Sequence, residues 1–203
     1  LLAKGQDIAN GMVSALLEDV TAVGALGKLA NHDYYTYYHS ARVASYALAM
    51  AMQKSLRDEA QLQSIAIGCL MHDIGKSKVD LSVLNKPGSL DPAEWEMMKK
   101  HPEFGDKIGE GSILDAIPRN IILHHHERMD GGGYPHNLSK NELLEEVKIA
   151  AFADVFDALT TNRSYQKART KFEALDFIRN KLLKNLHRES FEAMVAILGF
   201  DKK

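Results

Sequence analysis

The chain has 203 residues, of which 45% are hydrophobic, and its formal net charge is -2. This length is enough for one large domain with a packed core, and the charge gives no general attraction to nucleic acid or to an anionic membrane. No apolar run approaches the length of a membrane span, no signal-peptide pattern begins the chain, and the single cysteine, Cys69, excludes an internal disulfide. We therefore expect a cytoplasmic protein with a buried, inert thiol, no nucleic-acid partner and no membrane contact from this segment.

Apolar residues recur at helical spacing along most of the chain, and capping residues precede several of these stretches. They predict helices over residues 5–30, 33–54, 58–73, 91–101, 112–127, 143–160, from 171 onward, and 189–199. No segment shows a sustained alternation of apolar and polar residues, so no sheet is expected. The sequence therefore predicts an all-α helical bundle of seven or more helices, with loops near 74–90 and 128–140.

The predicted helix within residues 1–30 leaves two interpretations open. It is either a further helix of the bundle or the tail of a signalling helix that comes from an upstream domain. The chain begins with leucine rather than methionine, which suggests a fragment that lacks a domain upstream. We therefore expect residues 1–30 to be an N-terminal helix or linker and residues 31–203 to form the main domain.

Three stretches carry the residues of a helix-capping box, in which Ser, Thr or Asp is followed three positions later by Glu. They begin at Asp91, Ser139 and Thr170. Pro92 strengthens the first of them, because proline suits the first position of a helix. Pro102 disfavours helical geometry in the residue before it, so the helix that follows Asp91 is expected to end near His101.

The chain has nine histidines, and five of them stand in sequence contexts that suggest metal binding. Histidine nitrogen and carboxylate oxygen together form a ligand set for divalent transition metals. With two aspartates added, the candidate ligands are His39, His72, Asp73, His101, His125, His126 and Asp154. Seven ligands are too many for one four-coordinate site and suit two adjacent metals, which can clamp a phosphodiester. The two oxygens of Asp73 make it a natural bridge between the ions.

A histidine taken alone usually has an ordinary structural role, and we assign that role to the remaining four. These are His32, His124, His136 and His187. A His-Asp dipeptide is also weak evidence by itself. What favours a functional site is the combination of these residues with a glycine-rich loop at 130–135, where three glycines allow close backbone approach, and with Lys76, which can hold a phosphate as a point charge.

Two stretches of the chain resemble the signatures of the HD-GYP family, the branch of the HD superfamily that hydrolyses cyclic di-GMP in bacteria. The first is His-Asp-Ile-Gly-Lys at residues 72–76, and the second is His-His-Glu-Arg-Met-Asp-Gly-Gly-Gly-Tyr-Pro at residues 125–135. The resemblance runs from about His39 to Tyr165 and includes the segment from Trp95 to His101. It implies the HD-superfamily helical bundle with a metal site in its centre.

The resemblance also implies roles for the individual residues. One metal would be bound by His39, His72, Asp73 and Asp154, and a second by Asp73, His101, His125 and His126. Iron is the expected metal and manganese the alternative. Lys76 would contact a phosphate and help to protonate the leaving oxygen, Tyr134 would line the substrate pocket, and Arg163 would meet the phosphate or guanine end of the ligand. Loop shape, rather than substrate contact, is the role implied for Glu127, Arg128 and Asp130.

The function that the resemblance implies is a metal-dependent phosphodiesterase that opens cyclic di-GMP to linear pGpG through a metal-bound hydroxide. Whether cleavage continues to GMP stays open. Other signalling domains and a second copy of the chain are candidate partners. Tyr35 stands where three-metal members of the family have a glutamate, so two metals are expected.

Two departures from the family pattern keep a second hypothesis open. The glycine-rich loop continues differently at residues 137–140, and Gln166 stands where a basic residue often binds the ligand. The domain would then be a catalytically weak or inactive sensor of cyclic di-GMP, or a protein-interaction module. A third hypothesis is an HD hydrolase that acts on another nucleotide.

Overall fold

The structure is a computed structural model that describes residues 34–56, 58–110, 114–162 and 167–199, without the side chains of residues 34–37. The predicted helix over residues 5–30, the Tyr35 side chain, Arg163 and Gln166 lie outside this description. Within it, every regular element is helical, and an isolated β-bridge joins Asp130 to Ser139. The predicted all-α bundle of seven or more helices is confirmed.

The helices follow one another along the chain with short connections. The α-helices are α1 (Tyr34–Gln53), α2 (Glu59–Met71), α3 (Leu81–Leu84), α4 (Pro92–Met98), α5 (His101–Gly109), α6 (Ala116–His124), α7 (Glu145–Thr160), α8 (Lys171–Phe177) and α9 (Arg188–Ile197). A 3₁₀ turn, Ile74–Lys78, follows α2, and a π-helical turn, Ile178–Leu182, extends α8. Among these helices, none combines the length and the apolar character that a membrane span requires.

The core lies where α1, α2 and α7 pack together, with α6 against α2 and α9 against α1 and α7. Its largest fully buried side chains include Met50, Ile65, Phe152, Phe156 and Met194. Burying a side chain of this kind stabilises the fold by roughly 1.5–3 kcal/mol. Cys69 is buried in the same core, and burial raises the pKa of its thiol. The prediction of a buried cysteine is therefore confirmed.

Side-chain caps begin three of the helices at the predicted places. The Asp58 carboxylate accepts a hydrogen bond from the backbone N–H of Gln61 at 2.9 Å and so begins α2. Complete capping boxes begin α4 at Asp91 and α8 at Thr170. Each cap satisfies a backbone donor that the first helical turn leaves without a partner.

The predicted loop over 74–90 and the predicted end of the next helix were partly wrong. The loop contains the 3₁₀ turn and α3, because Asp80 accepts a hydrogen bond from the backbone N–H of Ser82 at 2.8 Å and caps that short helix. α4 ends at Met98, and the sequence analysis missed α5, which begins at His101. Pro102 stands in the first turn of α5, where no helical hydrogen bond is lost.

Two further boundaries differ on either side of the glycine-rich loop. α6 ends at His124 instead of continuing to Glu127. The Ser139–Glu142 pair forms, with the Glu142 carboxylate accepting from the Ser139 backbone N–H at 2.9 Å, but it closes a turn. α7 begins only at Glu145, so the predicted start at 143 was two residues early.

Candidate metal centre

The end of α2 delivers the first two candidate ligands to the interior of the bundle. His72 is the C-terminal cap of α2, Asp73 precedes the 3₁₀ turn, and both are buried. A Cβ on Gly75 would collide with the backbone carbonyl of His101 and lie 2.5 Å from the backbone nitrogen of Gly105. Only glycine therefore lets α5 pack this closely on the turn, and this packing brings His101 next to Asp73.

The remaining ligands come from α1, from the end of α6 and from α7. The ligand atoms form two groups, and within each group they lie within 4.8 Å of one another. The first group is His39, His72 and Asp154, and the second is Asp73, His101, His125 and His126. The structure thus brings together all seven residues that the sequence analysis selected.

Asp73 lies between the two groups and turns one oxygen towards each. Its Oδ2 is 3.3 Å from Nε2 of His72 and 3.9 Å from Nε2 of His39, both in the first group. Its Oδ1 is 3.3 Å from Nε2 of His101 and 4.0 Å from Nε2 of His125, both in the second group. This is the arrangement that a bridging carboxylate requires.

The histidines are held so that their Nε2 atoms face the centre of the cluster. In His72, His101 and His125, Nδ1 lies 2.7, 2.8 and 2.9 Å from the backbone carbonyl three residues earlier, to which it donates. In His39, Nδ1 donates to the Asp157 carboxylate at 2.7 Å. In the neutral form of each histidine, these hydrogen bonds fix the tautomer that leaves Nε2 with a lone pair for a metal.

Nε2 of His72 is buried and has no hydrogen-bond partner among the residues that the structure describes. A buried nitrogen without a partner is unfavourable, because it has lost its bonds to water. Its neighbour at 3.3 Å is Oδ2 of Asp73, which also has no proton to donate when ionised. A metal ion at this place would give the His72 nitrogen a partner and bind the neighbouring carboxylate oxygen, so the residues present fit a metal.

The sequence analysis did not identify Asp157 and Arg42, which support the first group. Asp157 is fully buried and accepts hydrogen bonds from His39 Nδ1 and from Arg42 Nε at 2.6 Å and Nη2 at 3.1 Å. The signal was present as matching spacing: Arg42 follows His39 by three residues, and Asp157 follows Asp154 by three. On helices, these intervals place each supporting residue on the same face as the ligand.

The electrostatics of the cluster favour the ionised form of Asp73 and Asp154 and the neutral form of His125 and His126. Burial opposes the ionisation of Asp73, but Lys76 and the neighbouring histidines outweigh it and hold its pKa well below the usual range. Burial and the adjacent histidines lower the pKa of His125 and His126 well below the ordinary value. At His39 burial is outweighed by hydrogen bonds to two aspartates, which raise its pKa to about 9. A metal would have to displace that proton.

The glycine-rich loop is attached to the site by a buried carboxylate. Glu127 is fully buried and accepts hydrogen bonds from the backbone N–H groups of His136 at 2.7 Å and Leu138 at 3.0 Å. A Cβ on Gly133 would collide with the Glu127 backbone and lie 2.6 Å from the backbone oxygen of His126. Asp130 accepts from the Gly132 N–H at 3.1 Å. Arg128 donates to the backbone carbonyl of Glu127 at 2.8 Å. The predicted contacts of these three residues with the loop are therefore present, and their lack of substrate contact stays a prediction.

The accessible side of the cluster is formed by the residues that are only partly buried. Asp154 and His126 are the two such ligands. The Tyr134 ring stacks on the His126 ring with centroids 4.6 Å apart and planes 22° apart. Lys76 places its Nζ 2.6 Å from Oδ2 of Asp73 and keeps 24% of its side chain exposed. A phosphate that entered from this side would therefore meet a cation beside the candidate metals.

The chain matches the HD domain family over residues 27–186. It belongs to that family. Within that family, the chain carries the two stretches, at residues 72–76 and 125–135, that resemble the signatures of the HD-GYP branch. The seven candidate ligands, which we call the metal-binding cluster, all lie within the matched range.

Several curated relatives of the chain carry phosphodiesterase names. It is 34% identical to a cyclic di-GMP phosphodiesterase of Pseudomonas aeruginosa over 85% of this chain and 42% of that protein. It is 40% identical to the cyclic di-GMP phosphodiesterase response regulator RpfG of Xanthomonas campestris over 68% of this chain and 36% of that protein. It is 33% identical to the 3'3'-cGAMP-specific phosphodiesterase 3 of Vibrio cholerae over 87% of this chain and 38% of that protein. The chain spans about two fifths of the length of these relatives.

Two solved structures share the fold. An HDG"Y"P protein of Bdellovibrio bacteriovorus superposes with a TM-score of 0.71 at 23% identity, over 97% of this chain and 61% of that one. A cyclic GMP-AMP specific phosphodiesterase of V. cholerae superposes with a TM-score of 0.53 at 32% identity, over 88% of this chain and 40% of that one. The HD-superfamily bundle with a cluster of His and Asp residues in its centre is therefore confirmed.

Proposed function

We propose that this domain hydrolyses a cyclic dinucleotide, with cyclic di-GMP as the first candidate and linear pGpG as the product. The observation that carries the proposal is the position of Asp73 between two groups of ligand atoms, one oxygen facing each. Two divalent metals, iron first and manganese second, would then be held by His39, His72, Asp73, His101, His125, His126 and Asp154. When bound, such metals polarise the phosphate and lower the pKa of a coordinated water.

The protein's own residues would orient the substrate and balance its charge. Lys76, partly exposed beside Asp73, would pair with a phosphate oxygen and supply a proton to the leaving oxygen. Tyr134, stacked on His126, would line the wall of the pocket. A net charge of -2 on the chain means that this local positive charge has to attract the anionic substrate.

The names of the relatives support a cyclic dinucleotide but differ in which one. Those from P. aeruginosa and X. campestris are named for cyclic di-GMP, and one from V. cholerae for 3'3'-cGAMP. The contact of Arg163 with the ligand, the further cleavage to GMP, a homodimer, signalling-domain partners and a cytoplasmic location stay predictions.

The test is a substrate panel with matched variants. Protein reloaded anaerobically with ferrous iron or manganese is incubated with cyclic di-GMP, 3'3'-cGAMP, cyclic di-AMP and a set of linear nucleoside triphosphates. The products are separated by chromatography, and binding is measured by calorimetry. Wild-type protein and Glu189→Gln, which removes a carboxylate on α9 outside the cluster, should form products, whereas Asp73→Asn should not. Tight binding without products would favour the sensor hypothesis, and cleavage of an unrelated nucleotide alone would favour another HD hydrolase.

A further inference from the structure

Aromatic side chains lead from the metal-binding cluster to the surface. The His126 ring is stacked by Tyr134, and the Tyr134 ring meets the Trp95 ring at a centroid distance of 6.3 Å and an angle of 80°. Trp95, on α4, keeps 46% of its surface exposed. The indole is therefore two ring contacts away from a candidate metal ligand and open to solvent.

Core packing does not explain why a tryptophan stands at this position. α4 has no buried residue, and a large aromatic side chain usually buries most of its surface. The helix is nevertheless firmly placed. Its capping box joins Asp91 to Glu94, and Lys86 Nζ donates to Glu94 Oε1 at 2.7 Å. Trp95 is thus presented to solvent from a fixed position beside the candidate site.

The chemistry of the proposed substrate matches this arrangement. In a cyclic dinucleotide each purine base is joined to the phosphates through a single sugar, so a base must lie near the metals without contacting them. Aromatic side chains bind nucleobases by stacking, and this contact tolerates different bases because every base has a π-face. Such tolerance fits relatives that are named for two different cyclic dinucleotides.

We propose that Trp95 is a substrate-binding residue on which one purine base of the cyclic dinucleotide stacks while a phosphate occupies the metal centre. This inference rests on the proposed function and adds a named residue to its binding site. Tyr134 would form the wall between the metals and the base. Because stacking on Trp95 is the same in the ground state and the transition state, its loss should act on KM more than on kcat.

The test compares three substitutions of Trp95 with a control on the same helix. Trp95→Ala and Trp95→Leu should raise the KM for cyclic di-GMP by about 5- to 150-fold, the range expected for the loss of one stacked base. Trp95→Phe should retain most of the affinity, because phenylalanine keeps a π-face that leucine lacks. The control is Met97→Ala, which changes an exposed side chain two residues along α4 and should leave KM unchanged. Metal content, measured in every variant, should stay at the wild-type level.

A second measurement reads the contact directly. Trp95 is the only tryptophan in the chain, so the intrinsic tryptophan fluorescence reports on this residue alone. Stopped-flow mixing of metal-loaded wild-type protein with cyclic di-GMP should quench the emission on binding and restore it as product leaves.

The stacking role of Trp95 and the proposed hydrolysis of a cyclic dinucleotide can be tested separately. Wild-type turnover with an unchanged KM in Trp95→Ala, or with unchanged fluorescence, would overturn the stacking role and leave the proposed function standing. Equal KM values in Trp95→Phe and Trp95→Leu would also overturn it. Absence of turnover of any cyclic dinucleotide by metal-loaded wild-type protein would overturn the proposed function and this inference together.

Discussion

Among the residues that the structure describes, two regions combine buried histidine with carboxylates, and they differ in how the histidine nitrogens are contacted. At the beginning of α9, His187 is buried, and both of its ring nitrogens have a close polar neighbour: Nε2 lies 2.8 Å from a carboxylate oxygen of Glu189, and Nδ1 shares a hydrogen bond of 2.8 Å with the Ser190 hydroxyl. In the metal-binding cluster, Nε2 of His72 has no hydrogen-bond partner within the described part of the chain, and the Asp73 carboxylate oxygen beside it is 3.3 Å away. The two regions thus share buried histidine, and what distinguishes the cluster is a buried nitrogen that lacks a close partner.

The two regions also differ in the groups that balance the charge of their carboxylates. Near His187, the carboxylate of Glu145 is paired with Lys54, and Glu189 lies 3.7 Å from Lys140. In the cluster, Asp73 and Asp154 face mainly histidines, with Lys76 the nearby lysine that pairs with Asp73. Protein cations thus balance the first region, whereas the second gains most from a bound cation.

The largest effect is expected from removing the carboxylate that lies between the two groups. Asp73→Ala should abolish cyclic di-GMP turnover and reduce bound metal from about two ions per chain to one or none. Mass spectrometry measures the bound metal, and chromatography measures product formation. A variant that kept full metal content and full rate would contradict the two-metal arrangement.

A smaller effect is expected from the lysine beside that carboxylate. Lys76→Ala should leave the metal content intact and lower kcat by roughly 100-fold, the lower range for loss of a group that transfers a proton or balances charge. Lys78→Ala, on the same 3₁₀ turn, is the control. Unchanged kinetics in Lys76→Ala would remove this residue from the mechanism.

Weakening the hydrogen bond that supports His39 should lower metal affinity by about 10- to 100-fold, as is usual when a residue that hydrogen-bonds to a metal ligand is changed. Asp157→Asn keeps the shape of the side chain but weakens its pairing with His39 and Arg42. Titration of metal-free protein with manganese measures the change. The same affinity in the variant and the wild type would show that His39 is oriented without Asp157.

The smallest effect is expected at His187, and it concerns stability and pH. Burial lowers the pKa of His187 in the folded protein, although nearby carboxylates oppose the shift. Below the ordinary pKa near 6.5, the unfolded chain then binds more protons than the folded one, so stability falls as the pH falls through this range. His187→Gln should flatten that dependence between pH 7.5 and 5.5 in thermal melts and leave metal content unchanged. A loss of metal in this variant would show that His187 supports metal binding and would contradict the purely structural role assigned to it.

Most of the cluster could be predicted from the sequence, because His72-Asp73 and His125-His126 are adjacent pairs and the glycine-rich loop follows the second. The support from Arg42 and Asp157 was missed because these residues are 115 positions apart and meet only when α1 packs on α7. α5 was missed because Pro102 was taken as the end of one helix, although it begins the next. The packing of Gly75 on His101, which sets the position of that ligand, has no local sequence signal beyond the glycine itself.

The most direct test of the central claim is a metal titration read by activity. Metal-free protein receives zero to three equivalents of manganese without oxygen, and cyclic di-GMP turnover is measured at each step beside the bound metal. Turnover that rises as the second equivalent binds and stays level at the third would agree with two metals joined by Asp73. Full turnover at one equivalent, or none at three with both metals bound, would contradict it.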